Sequence, residues 1–374
     1  MKVCFITNRL VYTDGFGRSS ISIIKELQKK GIEVVVLLTA KAPDSDFKEV
    51  KQYPVLQSMK NNKIKWLNLI LDLLKVKSIV KDCDLIHCEI EPFAPLAWLL
   101  AKFYRKPYFL MVHGTFAVKP LKVWYLKSLY IRSYRLAKKI FCNSNYTQQR
   151  LLQAVSLKNT EVIGRGVNLE EFASFNQPVT KDLASKIILS VGIIKRRKGY
   201  HISIPAVAEV AKKYPNLKYL IVGWNSNDGY FSELQDLIKK NNLTGKVEFK
   251  DHLSEAELVK LYFQADIFLL TPVNYDNRFE GLGMVYLEAN AAGLPVIGTY
   301  DCGAQDAIKD GENGLLVPQN DVSATALAIL KLLDNPPLAT QLGQNGKKMV
   351  SSISWENVVS KIIENYLIII KEKI

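Results

Sequence analysis

The sequence predicts an α/β protein built from two Rossmann-like, doubly wound domains in tandem. Short β-rich apolar runs alternate with longer helical patterns along the whole chain, and parallel neighbours in a sheet need such crossover connections. The 374 residues exceed the size at which a single core usually splits in two. The rhythm pauses once, at about Asn168–Ser185, where Asn176, Gln177 and Pro178 break any period.

In the first half the strands are expected at Val3–Thr7, Val34–Leu38, Leu85–Cys88, Tyr108–Val112 and Ile140–Cys142, with a helix at Ser19–Lys30 between the first two. In the second half they are expected at Ile187–Val191, Tyr219–Val222, Val247–Phe249, Ile267–Leu270, Pro295–Ile297 and Gly314–Val317. The helices between them are expected at His201–Lys213, Tyr230–Asn241, Ser254–Phe263, Met284–Ala292 and Val322–Leu333, and Trp355–Ile374 reads as a last helix. The expected domains are therefore 1–172 and 186–354, joined by a linker at 173–185. Ligands of open parallel sheets sit outside the carboxyl ends of the strands, so two such domains are expected to face a ligand cleft.

Composition narrows the classes. Apolar residues make up 48% and charged residues 23%, an ordinary globular mixture that argues against disorder. The apolar start, Val3-Cys4-Phe5-Ile6, is too short for a signal-peptide core, and the stretch Leu67–Val80 is broken by Asn68, Asp72, Lys75 and Lys77, so a soluble protein is expected. Five scattered cysteines (Cys4, Cys83, Cys88, Cys142, Cys302) fit thiols of a reducing, cytoplasmic compartment. Residues 1–170 carry 28 Lys and Arg against 13 Asp and Glu, and the remainder 22 against 23, so the net +14 belongs to the first half. That asymmetry suits an anionic partner: nucleic acid, a phospholipid surface or a phosphate-bearing acceptor.

Three features carry chemistry. Asn8–Ser20 is a turn-rich loop with Gly15 and Gly17 that delivers the chain to a helix N-terminus, where free amides suit a phosphate or a sugar hydroxyl. At Gly192–Gly199 a strand end runs into four successive cations, Lys195, Arg196, Arg197 and Lys198, placed to neutralise charge on a departing diphosphate. The most specific is Phe279–Ala289, where Glu280 precedes a helix, Gly281, Leu282 and Gly283 lead into it and Glu288 lies just over a turn inside. One acid can grip sugar hydroxyls and the other a ribose diol, while the helix amides meet phosphate.

These residues resemble the retaining GT-B glycosyltransferases of the family that includes lipopolysaccharide and phosphatidylinositol mannosyltransferases and sucrose synthases (glycosyltransferase family 4, glycosyl transferases group 1). The resemblance runs nearly end to end: Glu280/Glu288 as an E-x7-E element, Arg197-Lys198-Gly199, Gly166-Val167-Asn168 with Phe172, His113-Gly114-Thr115 and Ser144-Asn145-Tyr146-Thr147. It implies that Lys198 binds the donor diphosphate, Glu280 the sugar hydroxyls and Glu288 the ribose. It further implies that Gly17 lends its amide from the other domain, that His113 meets the sugar at the reacting centre, that Asp306 lies near the donor and that the helix 355–374 crosses back to the first domain. One position departs: where the family usually has arginine directly after the glycine matching Gly192, this chain has Ile193, with Arg196 or Arg197 as candidate substitutes.

The resemblance implies transfer of a hexose from a UDP- or GDP-sugar to a glycan or lipid-linked acceptor, with retention, without metal and with no cofactor beyond the donor substrate. A front-face displacement through an oxocarbenium-like ion is the mechanism usually invoked. Asp82-Cys83-Asp84 imitates a metal-binding D-x-D motif but stands directly before a strand, and His87 beside Cys83 and Cys88 reads as a core histidine. The basic stretches Lys63–Lys81 and Lys119–Lys139, mixed with Trp66, Trp124, Tyr125 and Tyr130, suit an interface with anionic lipid on the inner face of a membrane, and nucleic acid is not expected. The rivals are a non-catalytic GT-B scaffold, for which Ile193 argues, and an NAD-dependent oxidoreductase, which the missing third glycine of the first loop disfavours.

Overall fold

The computed structural model describes residues 1–12, 15–39, 45, 47–56, 72–175, 185–225, 229–251 and 253–371. It divides into two compact units, Met1–Gly166 with Trp355–Ile374, and Val167–Ser354.

Among the described residues, the first unit holds a seven-stranded sheet of β1 (Lys2–Ile6), β2 (Glu33–Thr39), β3 (Lys51–Leu56), β4 (Leu85–Cys88), β5 (Tyr108–Val112), β6 (Lys139–Cys142) and β7 (Thr160–Val162). Its order is β3-β2-β1-β4-β5-β6-β7 and every pairing is parallel. The second unit holds a six-stranded sheet of β8 (Ile187–Val191), β9 (Lys218–Val222), β10 (Val247–Lys250), β11 (Ile267–Leu269), β12 (Val296–Thr299) and β13 (Gly314–Val317). It is ordered β10-β9-β8-β11-β12-β13, again all parallel. Each order reverses once, between β1 and β4 and between β8 and β11, and a ligand of such a sheet belongs at the carboxyl ends beside that reversal.

The last helix, Trp355–Lys371, buries Trp355, Val358, Val359, Ile362 and Tyr366, a spacing that lays one apolar stripe along a helix. The stripe joins Ile24 and Leu27 of the helix Gly15–Lys29 and Val3, Val34, Leu85 and Phe109 of the strands in the first unit's core. The unit is therefore discontinuous in sequence. The second core gathers Leu189, Tyr219, Ile221, Phe268 and Ile297 under Val207, Leu234 and Ile329. The helix Glu255–Gln264 starts on a full capping box, Ser254 with Glu257.

The structure corrects some expectations. The first helix begins at Gly15, not Ser19, so Gly15 and Gly17 are part of its first turn and not of a preceding loop. First-turn amides need no helical partner, so two glycines cost little there. Phe172, expected at the end of the first domain, packs its ring against Tyr262 and Phe263 of the second unit, in a short helix Leu169–Ala173. The expected linker falls mostly on residues 176–184, and much of the basic stretch Lys63–Lys81 on 57–71, both outside the described residues. Strands β3 and β7 and the helix Pro336–Ser351 were not expected.

Candidate active site

Two clusters of buried polar side chains lie at the strands' carboxyl ends, one in each unit. In the second unit β8 ends at Val191 and the chain turns through Gly192 into a short 3-10 turn, Arg196–Lys198. Gly192 has φ +154°, and a β-carbon there would come within 3.1 Å of Lys198 Cε, so glycine lets the lysine side chain pass alongside. The turn is pinned by Val273 N donating to Arg197 O (2.9 Å) and Thr271 Oγ1 donating to Gly199 O (2.9 Å). Lys198 is buried, and its Nζ donates to Glu280 Oε2 at 2.7 Å. Arg197 Nη1 donates to the same oxygen at 2.5 Å.

Burial by itself would raise the Glu280 carboxyl, but the charges of Arg197 and Lys198 and their hydrogen bonds overcome it and hold the group at about 2. Burial pushes the Lys198 ammonium down, with Glu280 opposing and Arg197 adding to the effect. Two cations thus face one carboxylate, and the cluster, buried at Lys198 and Glu280 and half-buried at Arg197, carries an excess positive charge. That is the electrostatics of an anion site.

Glu280 lies in the loop before the helix Met284–Ala291, and its carbonyl accepts from Gly303 N at 2.8 Å. Gly281 and Leu282 are buried in that loop, and Gly283 caps the helix in the left-handed region at φ +80°. Asp306, half-buried in the short helix Ala304–Ala307, is tied to the same loop through Gly303. Glu288 is half-buried inside the helix and accepts from Tyr262 Oη at 2.8 Å. The structure thus joins Lys198, Arg197 and Glu280 directly and seats Glu288 one helical turn on, against Tyr262. Of the candidate substitutes for the missing arginine, Arg196 pairs with Glu233 and lies over the Tyr230 ring, whereas Arg197 reaches Glu280. Of the two, Arg197 is the one that stands with Lys198 on Glu280.

In the first unit the cluster follows β4 and β5. His113, just past β5, is buried, as are Glu89 and Glu91, just past β4. Arg165 Nη1 donates to His113 Nδ1 at 3.0 Å, which requires a lone pair on Nδ1, so the ring carries its proton on Nε2. Nε2 donates to the Glu89 carbonyl at 2.6 Å. The His113 amide donates to Glu91 Oε1 at 2.6 Å, and the Phe16 ring meets the imidazole edge-on at 5.1 Å. Arg165 Nη2 also points to the Gly15 carbonyl, at 3.5 Å. Gly17 is buried because a β-carbon there would strike Val11 O at 2.2 Å, so its sequence identity has a packing cause of its own.

Sequence reasoning did not find Arg165, Glu89, Glu91 or Tyr262. Glu89 and Glu91 carried a usable signal, since they are the first acids beyond the carboxyl end of a predicted strand. Asp84, in the Asp82-Cys83-Asp84 run, accepts from the Lys2 amide at 2.7 Å and so closes the start of β1 onto β4.

Residues 13–171 match the profile described as Glycosyltransferase Family 4, and residues 172–349 that of Glycosyl transferases group 1. The chain is 28% identical over 374 residues to an uncharacterized glycosyltransferase of Methanocaldococcus jannaschii, covering 98% of both. It is 30% identical over 217 residues, 55% of this chain, to a D-inositol 3-phosphate glycosyltransferase of Corynebacterium urealyticum, and spans 50% of that relative. The fold matches that of Anabaena HepE, solved in complex with UDP and glucose, with a TM-score of 0.81 at 19% identity over 98% of this chain and 99% of the other.

Proposed function

Because the chain belongs to the GT-B glycosyltransferases, its two halves matching the family 4 and group 1 profiles, we propose that it transfers a hexose from a UDP- or GDP-sugar, with retention and without a metal, to a glycan or lipid-linked acceptor in cell-surface polysaccharide or glycolipid synthesis. The observation that carries this reading is the buried Lys198–Arg197–Glu280 cluster at the carboxyl ends of the second sheet. The UDP bound by Anabaena HepE, which shares the fold, supports a nucleotide donor.

With the donor bound, Lys198 and Arg197 turn from Glu280 to the diphosphate, and Glu280, left with hydrogen-bonding capacity, takes the sugar hydroxyls. Glu288, held by Tyr262, takes the ribose diol. The anomeric C–O bond breaks with its electron pair passing to the diphosphate, where the two cations stabilise it. The acceptor oxygen bonds the anomeric carbon on the same face, and its proton leaves on the departing phosphate oxygen. Gly15, Gly17, His113, Gly281, Leu282, Gly283 and Asp306 complete the residues assigned to the donor.

Calorimetry with a panel of UDP- and GDP-sugars, followed by slow hydrolysis or transfer, tests the reading, and proton NMR of the product reads its anomeric configuration. Binding without turnover supports a non-catalytic GT-B relative, the second reading, which Ile193 favours; no binding of any nucleotide sugar defeats both. For the acceptor side, Trp124 is 85% exposed, and Phe103, Tyr125 and Leu136 are exposed as well, among lysines and arginines of the basic first half. This supports docking on anionic lipid. Equal flotation with anionic and neutral liposomes at low salt removes that part of the proposal. No helix among the described residues is long and apolar enough to cross a membrane.

A further inference from the structure

The buried polar chain of the first unit does not stop at His113. Glu89 Oε2 accepts from His87 Nε2 at 3.1 Å, and the Nδ1 on the other side of that ring accepts from the hydroxyl of Tyr366, which comes from the last helix, 279 positions away. Glu89 Oε1 lies 3.3 Å from His113 Nε2. Beyond His113, Arg165 stacks over the Trp355 ring at 5.9 Å, and Trp355 is the first residue of the same last helix. Both ends of the chain Tyr366–His87–Glu89–His113–Arg165–Trp355 therefore rest on one helix.

The directions of the hydrogen bonds agree along its length. Tyr366 donates to His87, His87 donates to the Glu89 carboxylate, His113 donates to the Glu89 carbonyl and Arg165 donates to His113. Each imidazole is thereby fixed as the tautomer protonated on Nε2, and one residue receives both, Glu89 taking His87 on its carboxylate and His113 on its carbonyl. Glu89 and His87 have no accessible surface, so neither can touch a ligand. A fully buried carboxylate is costly unless its partners hold it, and nothing in the packing of an apolar core requires one here. The His113 and His87 rings beside it outweigh the burial that would raise the group and keep it ionised, at about 2.

We propose that Glu89 is a positioning residue of the transfer site: it holds the His113 ring in place, and its anchoring through His87 to Tyr366 makes seating of the last helix a condition of turnover. The inference rests on His113 facing the donor sugar. The structural motive for the arrangement is that Glu89 and His113 follow adjacent strands, so a small shift of Glu89 is passed through its carbonyl to the ring.

The test uses the full chain labelled with 15N at its four histidines, whose ring signals report tautomer and hydrogen bonding without any substrate. In the wild type, His87 and His113 should both show a protonated Nε2 and an acceptor Nδ1. Glu89→Gln keeps the carbonyl but removes the charge 3.3 Å from His113 Nε2 and weakens the anchor to His87, and should move the His113 Nε2–H signal upfield while kcat falls on the order of 10²-fold at unchanged donor affinity. Tyr366→Phe removes one hydroxyl and keeps the ring, which guards against a Glu89 variant that does not fold. It should shift the His113 signal as well as that of His87, and lower kcat several-fold at constant donor KM.

A folded Tyr366→Phe or Glu89→Gln protein with the wild-type His113 signal and kcat overturns the proposal, as does a loss confined to donor affinity. A wild-type chain that transfers no sugar defeats the transferase reading instead, and the substrate-free spectra still decide whether the last helix governs the His113 ring.

Discussion

Replacing Lys198 by alanine removes the only ammonium in the second unit's buried cluster and leaves Glu280 paired to Arg197. The ammonium lies 2.7 Å from its carboxylate, and a diphosphate oxygen taking that place would meet it at a similar distance. At an effective dielectric constant of about 20 and about 3 Å, one such charge pair is worth at most ~5 kcal/mol. Removing a single preorganised donor from a site of developing negative charge costs about 2.7–4 kcal/mol, or 10²–10³ in kcat. The smaller figure governs, because Arg197 remains to share the leaving charge. Lys198→Ala should therefore lose on the order of 10²–10³ in kcat. Its unfolding free energy should move by no more than about 1–2 kcal/mol, since Glu280 keeps one cation. Steady-state assay of donor turnover, with urea denaturation as the control for folding, measures both. A folded variant that turns over within about threefold of wild type, less than 1 kcal/mol of barrier, refutes the role given to Lys198.

Tyr262→Phe removes the hydroxyl that orients Glu288, and calorimetry should show donor affinity weakened by roughly 1 kcal/mol, or about fivefold, at unchanged kcat. Glu288→Ala should weaken it further, again mainly in affinity. Gly192→Ala forces a side chain onto φ +154° beside the Lys198 stem, and should cost about 1–3 kcal/mol in urea denaturation and displace the lysine enough to lower turnover. Glu280 and Glu89 are both held near 2 against an ordinary value of 4.5, so each stabilises the fold fully above that value and loses its contribution as pH falls toward 2. The loss is on the order of 3 kcal/mol for each group. Glu91, which burial pushes up, runs the other way and blunts the effect. Denaturation series from pH 6 to pH 3 should show steep destabilisation below pH 4.5, and a flat profile contradicts the ionised, buried pairing of these acids.

The sheets were legible because each core strand is a compact apolar run whose burial marks it out, with starts within a residue of those expected for β1, β2, β6 and β9. Leu85–Cys88, Tyr108–Val112 and Gly314–Val317 appear in the structure at the expected residues. The edge strands β3 and β7 were not legible: Lys51–Leu56 mixes Lys, Gln and Pro with its apolar residues, and Thr160–Val162 has three half-buried residues and no run at all. The Lys198–Glu280 pairing was foreshadowed by cations at one strand end and an acid before a helix, two features that the β8/β11 reversal brings together. The chain around Glu89 was not, because its members are 24, 76 and 277 positions from Glu89 and only the sheet order and the return of the last helix make them neighbours. His87 was read as a core histidine, and its burial agrees, but a sequence does not say that a buried ring is also a link between two others.

Insertion of the second unit between Gly166 and Trp355 has a consequence for biosynthesis. A ribosome completes Val167–Ser354 while the first unit still lacks the stripe that Val358, Val359, Ile362 and Tyr366 lay over its sheet. The first-made half thus matures only after the helix Trp355–Lys371 has been made, and until then its apolar face stays open to chaperones or to like nascent chains. A stop directly after Ser354 should leave the second unit properly folded and the first unit uncovered. Such a product is expected to keep the part of its nucleotide affinity that Lys198, Glu280 and Glu288 provide and to aggregate through the half that was synthesised first.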